Sequence, residues 1–378
     1  MVYLDNAATS YPKAPGVASA MADYVEKVGA TINRSSYASA QEAGLVTLSL
    51  RERLCRLFNH PDPTHAVLTP GATAGLNMVI KGLLRPGDHC LVSSMEHNAV
   101  MRPLVQLERE GVAFERIPCD AQGRLRLEAL PGMIKLNTRL VVMAHGSNVC
   151  GTVQDAEAVG KICRERGVPF ALDAAQTAGH IEVDFERFGL AALVVPGHKG
   201  LLGPQGIGAL LLDADFARRL TPLVAGGTGS ASDSEELPGW MPDRFESGTP
   251  NMPGVYGWEA ALGWLENTGI ETLENHEKTL SKRFLEGIYG LKNVKLYGIT
   301  VPERRTGVFS VGFLNCDNAE AAWRLEREFG ILTRCGLHCA PSAHKTLGSF
   351  PEGSVRFSTG WANTEADIDA ALSAIAAI

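Results

Sequence analysis

Between Gly167 and Gly208 the chain sets a carboxylate and a primary amine each just past a short apolar run. Val168-Pro-Phe-Ala-Leu172 leads into Asp173-Ala-Ala-Gln176-Thr-Ala-Gly-His180, and Ala192-Leu-Val-Val195 leads into Pro196-Gly-His198-Lys199-Gly200. Apolar runs of this length read as buried strands, and in open α/β sheets ligands sit beyond the carboxyl ends of the strands. Asp173 and Lys199 would then face one crevice.

An aspartate and a lysine converging on a pocket suit pyridoxal phosphate chemistry. The lysine amine forms a Schiff base with the cofactor aldehyde, while the aspartate keeps the pyridine nitrogen protonated so that the ring acts as an electron sink. A free lysine, with a reference pKa of about 10.4, is almost wholly protonated at neutral pH, so a restricted pocket is needed to make it useful. A solvated lysine in a glycine-rich turn and an aspartate in a strand-end cap would leave the same pattern. The other motifs have to decide.

The elements that would position these residues alternate along the chain. Ala66-Val-Leu68, a turn at Thr69-Pro70-Gly71-Ala72-Thr73 and a helix over Leu76–Leu84 form the first strand-to-helix unit. Its turn could cup a phosphate on free backbone N–H groups and the helix dipole, although small residues at a helix start are also ordinary caps. Cys90-Leu-Val92 precedes Glu96-His97-Asn98 and a helix to Glu110; a strand over Leu140–Ala144 precedes His145-Gly-Ser-Asn148 and a helix near Asp155–Arg166. His97, Asn148, Asp173 and Lys199 all fall just past strand ends, a placement that chance would not repeat. The alternation predicts an α/β fold with a mostly parallel, covered sheet.

After Gly206-Ile-Gly208, which precedes a strand and so is no dinucleotide fingerprint, Ala209–Leu212 is expected to be a strand that closes the large domain. Gly226–Pro250 reads as a long functional loop or lid, since Arg244-Phe-Glu-Ser-Gly248-Thr249-Pro250-Asn251 is too specific for filler. Helical spacing covers Tyr256–Leu265 and Leu273–Ile288. Strands near Val294–Tyr297, Val308–Phe313 and Val355–Phe357 then make a smaller α+β unit, ended by a helix with a capping-box start at Thr364 and Asp367. The expected division is a large domain over 16–255, with 1–15 and 256–378 forming the small one.

A net charge of −7 argues against nucleic acid and anionic membrane surfaces. No apolar stretch is long enough to span a bilayer, and the N-terminus has no signal-like core. The 8 cysteines lack a framework spacing, which predicts a reduced, cytoplasmic protein. Two of them stand in Arg334-Cys335-Gly-Leu-His338-Cys339-Ala-Pro-Ser-Ala-His344. Adjacent His338 and Cys339 would struggle to hold one ion, and no partner pair with ligand spacing exists elsewhere. A reactive thiol at Cys339 with a structural Cys335 is preferred to a metal site.

With these motifs in order, the chain resembles the cysteine desulfurase and selenocysteine lyase branch of the class V aminotransferases, fold-type I pyridoxal phosphate enzymes. The resemblance rests on Tyr3-Leu-Asp-Asn-Ala-Ala-Thr9, Glu96-His97, Ser147-Asn-Val-Cys-Gly-Thr152, Asp173-Ala-Ala-Gln176, Gly197-His-Lys199, Phe245-Glu-Ser-Gly-Thr-Pro-Asn251 and Arg334 through Ala340. It implies that Lys199 binds the cofactor covalently, that Asp173 pairs with the pyridine nitrogen, and that Gln176 contacts the ring hydroxyl. His97 would stack on the ring and move protons, and Asn148 would assist at the ring and substrate. The helix start at Ala72 and Thr73, with His198, would hold the phosphate; Thr249 would reach the phosphate of a neighbouring subunit in a homodimer with shared sites. Arg356 would clamp the substrate carboxylate, and Cys339 would take sulfur from L-cysteine as a persulfide, releasing alanine, before a sulfur or selenium acceptor protein removes it.

Pro196 stands where the family often has serine, and Ala72 where threonine is common; each removes a hydroxyl that could meet the phosphate. Leu337 replaces a frequent histidine, which leaves L-selenocysteine open as the substrate. Other readings keep the cofactor but make the reaction C–S β-elimination or transamination with Cys339 a bystander, or drop the cofactor and leave a scaffold or sulfur carrier.

Overall fold

The computed structural model describes residues 1–378. Seven strands form the central sheet in the order Ala66–Thr69, Gly208–Leu212, Ala192–Pro196, Phe170–Asp173, Thr138–Ala144, His89–Ser93 and Ala113–Ile117. Gly208–Leu212 is antiparallel to both neighbours, and all other pairings are parallel. This is the expected α/β class. Ala209–Leu212 is the last strand of the sheet in sequence, yet it is inserted one place in from the edge.

Every residue of Phe170–Asp173, Ala192–Pro196 and Gly208–Leu212 is buried, which explains why these strands read as continuous apolar runs rather than as an alternation. Successive side chains go to opposite faces. Leu172, Leu193, Val195 and Leu211 join one core with Leu54 and Trp258, whereas Ala171, Ala192, Val194 and Leu210 join another with Leu76 and Leu104. The first face is covered by the helices Ala38–Phe58 and Met252–Thr268, the second by Ala72–Leu83 and Asn98–Glu108. The helix after the first strand therefore begins at Ala72 rather than Leu76. That places Ala72 and Thr73 in its first turn.

A second body is built on a four-stranded antiparallel sheet ordered Arg334–Gly336, Ser354–Ser358, Val308–Phe313 and Val294–Tyr297. The helices Ile270–Tyr289 and Glu365–Ala377 pack their apolar faces on it around Phe284, Phe309, Phe357 and Ile368. The last helix opens with the anticipated capping box between Thr364 and Asp367. Val2–Tyr3 pairs in parallel with Ile331–Leu332, so the N-terminus joins this second body before the chain enters the first. No helix is long and apolar enough to cross a membrane.

Candidate active site

The carboxyl ends of the central strands open into a cavity of about 710 Å³. It brings together Ala72, Thr73, His97, Asn148, Asp173, Gln176, His198, Lys199 and Arg356. Two expected site residues are not in its lining: Cys339 and Thr249. Both are exposed.

Asp173 is the last residue of its strand, and its Oδ1 accepts the Ala175 N–H at 2.9 Å. The second carboxylate oxygen has no protein donor. Burial pushes this carboxyl up, opposed by the Ala175 N–H and by the Lys199 charge. Lys199 follows the strand Ala192–Pro196, and its side-chain amine makes no protein hydrogen bond. Its amine is lowered to about 8, first by burial and then by the guanidiniums of Arg356 and Arg334, with Asp173 pulling the other way. A lysine near 8 carries a usable fraction of free amine at neutral pH, the condition for carbonyl chemistry.

His97 caps the helix Asn98–Glu108: its Nδ1 accepts the Ala99 N–H at 3.0 Å. The single proton of the neutral ring is thereby fixed on Nε2. Burial, then Lys199 and nearby arginines, lower this imidazole to about 4, so it is neutral at physiological pH. Gln176 donates one N–H to the Ala7 carbonyl at 3.0 Å, tying the N-terminal segment across the cavity. Beneath His97, Glu96 is fully buried, bonded to Ser93 and to the Ala144 N–H, and raised to about 8 by burial.

One end of the cavity is shaped for an anion. The helix Ala72–Leu83 has Gly71 as its cap residue and no side-chain cap; the Ala74 and Gly75 N–H groups donate to the Gly71 carbonyl, which leaves those of Ala72 and Thr73 open. His198 lines the same cavity; burial, then Lys199 and Lys13, lower it to about 4.

At the other end stand two arginines. Arg334 and Arg356 are register partners on adjacent strands, and both line the cavity. Like charges directly opposite are unfavourable in a sheet unless a counter-charge relieves them. Arg356 is held by the Asp5 carboxylate at 2.6 Å and the Asn148 carbonyl at 3.1 Å, with its buried Nε left without a partner. Asp5 thus belongs to the site, although sequence reading noted only its place in a motif. It neutralises one of the two arginines; the remaining positive charge suits a carboxylate.

The segment that carries Cys339 is fastened by polar bonds. Asn148 Nδ2 donates to the His338 carbonyl at 2.7 Å, and the Asn98 N–H donates to the Cys339 carbonyl at 2.8 Å. His338 and Cys339 both hold positive φ, 49° and 58°, a conformation that non-glycine residues rarely adopt. His338 Nε2 lies 3.1 Å from the Arg334 carbonyl, His338 Nδ1 3.3 Å from His344 Nε2, and His344 Nδ1 2.7 Å from Ser349 Oγ. Because the carbonyl can only accept, His338 donates from Nε2, His344 donates to His338, and Ser349 donates to His344. The chain of donors has one consistent direction. Cys339 Sγ sits at the cavity rim, 3.7 Å from an Arg334 nitrogen. Cys335 lies in the strand Arg334–Gly336 and is half-buried, with burial raising its thiol.

The family profile described as Aminotransferase class-V matches residues 2–371. A probable cysteine desulfurase of Methanothermobacter thermautotrophicus is 32% identical over 373 residues, covering 97% of this chain and 92% of the relative. The apo structure of a cysteine desulfurase from Thermococcus onnurineus superposes with a TM-score of 0.93 at 31% identity, covering 100% of this chain and 94% of that one. A cysteine desulfurase structure from Escherichia coli gives a TM-score of 0.88 at 28% identity, over 99% of this chain and 93% of the other.

Proposed function

Because the chain belongs to the aminotransferase class-V family, we propose that it is a pyridoxal-phosphate-dependent cysteine desulfurase. It would convert L-cysteine to L-alanine and take the sulfur onto Cys339 as a persulfide. The observation that carries this reading is the meeting of the Lys199 amine and the open Asp173 oxygen in one cavity, with a thiol at its rim. The donor set fits the cofactor. Asp173 would hold the proton of the ring nitrogen, Lys199 the aldehyde carbon, and Gln176 the ring hydroxyl. Thr73, the open N–H groups at Ala72 and the ring of His198 would hold the phosphate. Backbone N–H groups serve there in place of the hydroxyls that Ala72 and Pro196 lack.

When bound, pyridoxal phosphate supplies an electron sink for the substrate. The rest is the work of this chain. Arg356, steadied by Asp5 and by the Asn148 carbonyl, binds the substrate carboxylate. Lys199, with its amine near 8, moves a proton at the substrate α-carbon. The Cys339 sulfur forms a new bond to the substrate sulfur as the substrate C–S bond breaks, and the electron pair remains with the carbon. That carbon takes a proton to become the methyl group of alanine. That proton is the one the Cys339 thiol gives up as its sulfur attacks, so the step balances, and the neutral ring of His97 would pack against the cofactor.

Exposure of Cys339 would let an acceptor protein reach the persulfide. Exposure of Thr249, outside the cavity of its own chain, supports a homodimer in which it completes the partner's phosphate site. The place of Cys339 outside the cavity lining favours a second reading, selenocysteine lyase, because selenium can leave without a protein thiol.

The test is the visible spectrum of the purified protein before and after L-cysteine, with alanine and sulfide assayed together. An absorption band that Lys199→Ala removes, with alanine formed and lost in Cys339→Ala, is expected. Alanine release from L-cysteine that survives Cys339→Ala unchanged would sink the persulfide route. If only L-selenocysteine then yields alanine, the second reading replaces the first.

A further inference from the structure

Behind His198, on the side away from the cavity, lies a half-buried lysine that no residue role above uses. Lys13 Nζ contacts the His198 carbonyl at 2.8 Å, Thr9 Oγ1 at 3.1 Å and Ser10 Oγ at 3.1 Å. An ammonium has three N–H groups and no lone pair, so all three contacts are donations. None of the acceptors is a carboxylate, and Lys13 makes no ion pair. A positive charge is therefore held close to the cavity wall with no negative partner on the protein.

The same contacts decide where the His198 proton sits. Thr9 Oγ1 accepts from Lys13, so its own hydrogen must go elsewhere. Two acceptors are within reach, the His198 carbonyl at 3.2 Å and His198 Nδ1 at 3.1 Å. The carbonyl already accepts from Lys13 Nζ, from Ser10 Oγ at 3.1 Å and from the Ser10 N–H at 3.0 Å, which more than fills its two lone pairs. The Thr9 hydroxyl is left to donate to Nδ1. The proton of a neutral imidazole then stands on Nε2, at the opposite side of the ring. His198 follows Pro196, whose register partner Gly208 packs against Gly71, so the ring belongs to the end of the cavity where the helix Ala72–Leu83 begins.

We propose that Lys13 and Thr9 are positioning residues for the phosphate of the cofactor: Lys13, acting through Thr9, fixes His198 with its N–H on Nε2 as a phosphate donor and supplies the unpaired charge behind it. The inference rests on the cofactor reading above and deepens it. It also accounts for how a site without hydroxyls at Ala72 and Pro196 balances a phosphate dianion. The charge stands one residue layer back, and a neutral imidazole relays it.

A ligand pair that differs only in the phosphate separates this role from a merely structural one. The full chain, freed of cofactor, is titrated with pyridoxal phosphate and with pyridoxal, following the absorption band. Lys13→Met and Thr9→Val are each expected to weaken pyridoxal phosphate by roughly tenfold to a hundredfold, the scale of a hydrogen bond to a charged group, and to leave pyridoxal unchanged. Thr9→Ser, which keeps the hydroxyl, is expected to bind as the wild type does. Equal weakening of both ligands would overturn the inference in favour of a structural staple, as would unchanged pyridoxal phosphate affinity in both variants. Should Lys13→Met not fold, Lys13→Gln and Thr9→Val give the same ratio. A wild type that binds neither ligand would overturn the cofactor reading itself, whereas a wild type that binds pyridoxal phosphate beside variants that bind it equally overturns only the role of Lys13 and Thr9.

Discussion

Asp173 and Cys339 serve one proposed reaction but are held in opposite ways. Asp173 ends a strand whose every residue is buried, in a sheet covered on both faces, so apolar packing fixes its place. Cys339 is exposed, on backbone of positive φ, and its place depends on bonds from Asn98, Asn148 and the His338–His344–Ser349 chain. The difference suits the two tasks. A group that binds a resident cofactor gains from a rigid seat, whereas a group that must meet substrate and then deliver sulfur outward needs access.

The sharpest way to separate the two regions is to delete one reactive group from each. Lys199→Ala is expected to lower alanine formation by on the order of 10⁴-fold or more, the scale for removal of a covalent catalyst, and to abolish the absorption band. Cys339→Ala is expected to lower turnover of L-cysteine by a similar or somewhat smaller factor while leaving the band in place. A Cys339→Ala protein that also loses its cofactor would break the comparison, since the loop would then help to build the seat.

A subtler lesion tests the polar chain that holds the thiol. His344→Phe removes a donor from His338 and an acceptor from Ser349, in a position with no solvent to replace them. The expected cost is about 1–3 kcal/mol of stability, from polar groups left buried without partners. Turnover is expected to fall up to about a hundredfold through misplacement of Cys339, with cofactor affinity unchanged. Denaturant unfolding and a cofactor titration on the same preparation read the two effects apart; equal losses in both would show that the loop and the seat are one unit.

How much of this was legible in the sequence follows the same divide. The apolar strand Phe170–Asp173 and the runs Ala192–Pro196 and Val308–Phe313 were readable because burial leaves a compositional mark. The edge strand Ala113–Ile117 was not, since its Glu115 and Arg116 sit in a partly exposed Ala-Phe-Glu-Arg-Ile and leave no such mark. The helix Asn318–Phe329 also went unread within the smaller unit, although Asp317 caps it. Arg334–Gly336 is a strand of 3 residues that only its pairing with Ser354–Ser358 defines. Asp5, Lys13 and the His338–His344 pair depend on contacts between distant or polar positions, for which spacing has no signature. Motif resemblance found Cys339; it could not say what holds it.

Acidification offers the gentlest probe of the contrast. In the unfolded chain both loop histidines titrate near about 6.5. In the fold, burial first and nearby arginines for His338 lower them to about 3 at His338 and about 4 at His344. Between those values the opened segment binds more protons than the closed one, so the free energy of opening must fall as pH falls. Stability from keeping the pair neutral is complete above about pH 6.5 and is lost progressively toward about pH 4, by at most about 1.4 kcal/mol per pH unit for each histidine. Amide exchange over residues 334–344, corrected for the intrinsic rate, is therefore expected to accelerate from pH 7 to pH 5. The amides of Phe170–Asp173 should report only global opening. His344→Phe removes one of the two titrating groups and should reduce the acid sensitivity of the loop by about half, even though it loosens the loop at neutral pH. Loop protection that does not change with pH would mean that the segment opens without exposing its histidines, and the polar chain would then not be what closes it.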